Sequence, residues 1–67
     1  MNLKYAVFVN AEDKGTVLST CYRTDDESQA VQFYNKAMAF YGKSAVYVIS
    51  LKRWKDDKYK SIKTELS

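Results

Sequence analysis

Apolar residues recur at every second place at the start of the chain. Leu3, Tyr5, Val7 and Val9 alternate with Lys4, Ala6, Phe8 and Asn10. That period of two, carried by β-branched and aromatic side chains, predicts a strand over residues 3–10. Ala11-Glu12-Asp13-Lys14-Gly15 then reads as a polar turn in which Gly15 supplies positive φ. Thr16 to Arg23 (TVLSTCYR) resumes the strand pattern, so the two strands are expected to form an antiparallel hairpin with a longer loop.

The period then changes. Thr24-Asp25-Asp26-Glu27 has the form of a capping box, with Thr24 capping free amides and Glu27 reaching back. Asp25 and Asp26 fall in the first turn, where carboxylates favour the positive end of the helix dipole. Ala30, Phe33, Tyr34, Ala37, Met38 and Tyr41 follow at helical spacing and make one apolar stripe. With Gly42 as a C′ stop, the helix is expected over residues 25–41. The most β-prone stretch, AVYVISLK at residues 45–52, predicts a third strand.

Residues 53–67 are polar and basic, with Trp54, Tyr59, Ile62 and Leu66 as their large apolar residues. They fit a hairpin turn leading into a fourth, edge strand, with Trp54 and Tyr59 paired across it. They also fit a short helix capped by Asp56 or Asp57. The spacing of Tyr59, Ile62 and Leu66 tilts the reading towards the helix.

These elements predict one α+β domain over residues 1–67, a two-layer sandwich with a ββαβ core at 1–52 and a basic C-terminal segment at 53–67. If strand 3 lies beside strand 1, every neighbouring pair is antiparallel and the strand order is 2-1-3. A β-grasp arrangement is the alternative, but it would need the polar residues 58–66 as a central strand.

The strands carry more apolar surface than one helix can cover. Strand 1 sets Leu3, Tyr5, Val7 and Val9 against Ala6 and Phe8. Strand 3 sets Tyr47, Ile49 and Leu51 against Val46 and Val48, and strand 2 sets Val17 and Cys21 against Leu18 and Tyr22. A sheet with one wet face alternates more cleanly. Either the tail folds back as a cover, or a protein partner or a second copy of the chain provides one. Phe8, Val17, Val46, Val48, Trp54 and Tyr59 are the candidate partner-binding residues, since aromatics anchor interfaces.

Composition narrows the chemistry. A chain of 67 residues buries only about 60% of the surface its unfolded form exposes, and its ten aromatics suit a small core. Cys21 has no second cysteine to pair with, which favours a reducing compartment, and it reads as a small apolar strand residue. No signal-peptide core or membrane span is visible, so a cytoplasmic location is expected.

The absence of histidine removes imidazole nucleophile systems and imidazole metal sites; one cysteine cannot build a zinc site. Two isolated glycines cannot make a phosphate loop. The acidic clusters have turn and capping roles. No catalytic residue, metal, cofactor or small-molecule substrate is therefore expected, and the chain reads as a non-enzyme.

Charge is uneven. Residues 1–43 balance, whereas residues 44–67 hold six basic and three acidic side chains and so carry the whole net charge of +3. Lys52, Arg53, Trp54, Lys55, Lys58, Tyr59, Lys60 and Lys63 interleave cations with aromatics and form a candidate nucleic-acid surface. Asp56 and Asp57 weaken its field, and one arginine among the six cations limits bidentate phosphate contacts. The favoured expectation is a small docking module, of accessory or inhibitor type, for a protein partner. Its size would suit a regulator encoded by a phage or mobile element. Nucleic-acid binding is the alternative.

Overall fold

The computed structural model describes residues 3–44 and 46–66. The expected start of the third strand at Ala45 lies outside them. The element order is β1 (Tyr5–Asp13), β2 (Thr16–Thr24), α1 (Glu27–Tyr41), β3 (Val46–Lys55) and β4 (Lys58–Leu66). The strands form one antiparallel sheet in the order β2-β1-β3-β4. The expected order 2-1-3 is present, and the C-terminal segment adds a fourth strand at the β3 edge.

The helix reading of the tail is therefore corrected. Trp54 pairs with Tyr59 across a two-residue turn, Asp56-Asp57, with φ of 55° and 64°. This geometry matches the right-handed twist of the flanking strands. The first hairpin is tighter than its sequence suggests. β1 runs on to Asp13, and the turn is Lys14-Gly15, with φ of 52° and 82°.

The helix starts two residues later than expected, and its cap differs. Thr24 is held in the β2 ladder opposite Tyr5, so the N-cap falls to Asp26, whose carboxylate accepts from the Ser28 and Gln29 amides. The Thr24 hydroxyl instead accepts from the Asp26 amide. Glu27 does not close a capping box, because it accepts a hydrogen bond from the Tyr5 hydroxyl at 3.1 Å. Gly42 ends the helix at φ −63°, in the right-handed region. Its need for glycine is spatial, since a Cβ there would sit 2.5 Å from the Met38 carbonyl oxygen.

The apolar stripe packs on the odd-numbered face of β1 and β3. Ala30, Tyr34 and Ala37 meet Tyr5, Val7, Val9, Ile49 and Leu51 in the core, with Phe33, Met38 and Tyr41 at its margin. Val7, Val9 and Ile49 are fully buried, each stabilising the fold by about 1.5–3 kcal/mol. Residues paired across a ladder share a face, so this register also fixes what lies on the other side of the sheet.

Candidate functional site

The face of the sheet opposite α1 reads in rows from β2 to β4. Val17, Glu12 and Val46 form the first row; Ser19, Asn10, Val48 and Leu66 the second. Cys21, Phe8, Ser50 and Thr64 form the third, and Arg23, Ala6, Lys52 and Ser61 the fourth. Trp54 and Tyr59 close the face at the β3–β4 turn. All of the candidate partner-binding residues, Phe8, Val17, Val46, Val48, Trp54 and Tyr59, thus share this one face.

The face has two chemically distinct ends. Its aliphatic end is open: Val17 is 72% exposed and Leu66 67% exposed, and Val46 and Val48 are exposed beside them. Glu12 separates Val17 from Val46, and the Ser19 hydroxyl donates to the Asn10 side chain at 2.8 Å. The tail extends the sheet edge instead of folding over this surface, so among the described residues no element covers it.

The other end is aromatic and more ordered. Tyr59 packs edge-on against Trp54, with ring centroids 4.9 Å apart, and against Phe8 at 5.9 Å. Its hydroxyl donates to the Leu3 carbonyl at 2.9 Å, which ties the start of the chain to the second hairpin. The Lys52 ammonium lies 4.9 Å from the centre of the Phe8 ring, a cation–π contact. Arg23 and Lys52 flank buried Ala6 on either side. Arg23 and Lys52 thus bring positive charge to the aromatic end, next to the Asp56-Asp57 turn, whereas Glu12 lies at the aliphatic end.

The candidate nucleic-acid residues are divided. Lys52, Trp54 and Tyr59 lie on the open face, whereas Arg53, Lys55, Lys58, Lys60 and Lys63 lie on the side of α1. There Arg53 faces Lys60 and Lys55 faces Lys58 directly across the ladder, an arrangement of like charges that is destabilising. Lys60 finds a partial counterion in Asp56 at 3.5 Å.

Sequence reasoning missed Leu66 and Arg23 as members of the open face. Leu66 joins it because β4 carries a bulge: Leu51 faces Lys63 and Lys52 faces Ser61, leaving Ile62 as the extra residue. Only the register reveals this, since Tyr59 and Leu66 would lie on opposite faces of an unbroken strand. No protein-family model, no curated protein and no solved structure matches the chain.

Proposed function

We propose that the chain is a non-catalytic docking module that binds a protein partner through the face of its sheet opposite α1. The uncovered aliphatic end, Val17, Val46, Val48 and Leu66, carries this reading. Aliphatic side chains offer little to phosphates or bases, which are bound by charge and by aromatic stacking. They suit the apolar centre of a protein interface. Phe8 links the two ends, and Arg23 and Lys52 select for carboxylates on the partner opposite the aromatic end. Nine-residue strands spaced as in any sheet give a face of about 600 Å², somewhat below the ~800 Å² per partner of a standard interface.

The facing cations Arg53–Lys60 and Lys55–Lys58 favour a second reading, nucleic-acid binding, because a polyanion would relieve their repulsion. The ring contacts weigh against it. Lys52 occupies one side of Phe8, and Tyr59 is packed edge-on and anchored through its hydroxyl.

The test is capture from host-cell lysate on the immobilised chain, with and without nuclease, using wild type and Val48→Asp. Nuclease-resistant capture of a defined protein, lost in a Val48→Asp variant whose circular dichroism is unchanged, supports the docking module. Capture abolished by nuclease, or a protein retained equally by Val48→Asp, overturns it.

A further inference from the structure

The two edges of the sheet are built differently. β4 carries Lys58, Lys60 and Lys63 among its nine residues and is bent by the bulge at Ile62. Lysines and bulges on an edge block its pairing with another strand. β2 has neither device. Its nine residues pair with β1 without a register shift, contain no glycine or proline, and include a single charge, Arg23. Its outer backbone groups therefore present a long, regular edge of the kind that pairs with another strand.

The flank of α1 beside this edge carries two aromatic side chains among polar ones. Gln29, Phe33, Lys36 and Phe40 are spaced to share one side of the helix. Phe33 stacks on Tyr22 of β2, with centroids 4.4 Å apart and planes 12° from parallel. Phe40 is 73% exposed and borders an open groove of about 490 Å³, whose opposite wall includes Thr16 and Leu18. A second groove of about 220 Å³ lies at the other end of β2, lined by the stacked Tyr22 and Phe33 together with Gln29, Gln32 and Lys36.

We propose that β2 pairs antiparallel with β2 of a second copy of this chain, about a two-fold axis at Thr20. Two four-stranded sheets become one continuous sheet with both helices on the same side. The strand runs from Thr16 to Thr24, so this is the one register that pairs its full length. It sets Leu18, 41% exposed, opposite the partner's Tyr22 and Val17 opposite the partner's Arg23. Arg23, the single charge of the strand, therefore faces no like charge across the ladder. The two-fold also brings the Leu18–Phe40 groove of each copy against the Tyr22–Phe33 groove of the other.

This self-complementarity selects a second copy over an unrelated extended segment. An isologous contact must match its own reverse, and here Leu18 meets Tyr22 in both halves while Arg23, the one charge of the strand, meets Val17. The pairing uses the sheet edge and leaves the face opposite α1 open, so it stands independently of the docking function.

Sedimentation equilibrium of the full chain at about 100 μM, where even a micromolar interface is mostly occupied, is expected to give twice the 7.8 kDa chain mass. Thr20→Lys places two ammonium groups at the axis and is expected to weaken the dimer about 100-fold or more, with an unchanged circular dichroism spectrum. In a Cys21→Ser background, Thr20→Cys is expected to oxidise to a covalent dimer, while Thr64→Cys on the β4 edge does not. This crosslinking pair decides the matter if Thr20→Lys fails to fold. A monomeric wild type, an open-ended polymer, a dimer that survives Thr20→Lys, or equal crosslinking at both edges would overturn the pairing. So would a dimer broken by Val48→Asp but not by Thr20→Lys.

Discussion

Removing one oxygen atom from Tyr34 should strengthen the fold. Tyr34 is 5% exposed and sits in the core between α1 and the sheet, and its hydroxyl has no hydrogen-bond partner among the described residues. A buried hydroxyl left unpaired costs about 1–3 kcal/mol in lost hydration. Tyr34→Phe removes that penalty and keeps the ring. The oxygen-sized void it leaves, roughly 10 Å³, costs only about 0.2 kcal/mol. The net expectation is a gain of about 1 kcal/mol, which raises Tm by about 4–8 °C in a domain of this size.

Thermal and urea unfolding followed by circular dichroism measure the change. Tyr5→Phe is the control: its hydroxyl donates to Glu27, so the same substitution should lower stability there. A Tyr34→Phe variant with an unchanged or lower Tm would refute the reasoning, because it would mean the hydroxyl is hydrogen-bonded in solution. Alkaline pH gives a second readout. Burial, with the nearby Glu65 carboxylate and Tyr47, pushes the Tyr34 phenol above its ordinary value of 10.0. The folded state then keeps a proton that the unfolded chain releases. Stability should fall as pH rises through and beyond 10, and the fall should be shallower in Tyr34→Phe.

Other expectations can be checked by the same unfolding assays. Asp57 has φ of 64° in the second turn, so Asp57→Gly should raise stability by about 0.5–1 kcal/mol by relieving the left-handed backbone. Asp26→Ala should lower it by about 1 kcal/mol, since the Ser28 and Gln29 amides lose their acceptor. Lys58→Glu places opposite charges across the ladder at Lys55 and should stabilise by up to about 1 kcal/mol in low salt, an effect that added salt suppresses.

What could be read from the sequence depended on whether a local period survived. β1 and β3 are rich in β-branched and aromatic residues, so both were legible as strands, and once they are set side by side chain direction makes every neighbouring pair antiparallel. The cap shifted because Thr24 is engaged by the sheet and Glu27 by Tyr5, long-range contacts to which a local motif is blind. β4 was obscured by its own bulge. Ile62 breaks the period of two, and the resulting spacing of Tyr59, Ile62 and Leu66 imitates a helix. Most of the open face was legible residue by residue, Leu66 and Arg23 excepted, but its division into an aliphatic and an aromatic end was not. That division depends on which positions of four strands stand in the same row.

The aromatic end and the aliphatic end have different relations to stability. Phe8 and Trp54 both pack on Tyr59, and Tyr59 fastens residue 3 to the second hairpin, so folding alone accounts for these three rings. Val17, Val46, Val48 and Leu66 contribute little to the core on the other side of the sheet and leave apolar surface in water. Polar side chains at those positions would keep the strands and remove an aggregation hazard. The β4 edge shows that the chain does carry such protection, in three lysines and a bulge. Its absence from the aliphatic end and from β2 supports the two proposed contacts, a partner across the face and a second copy along the edge.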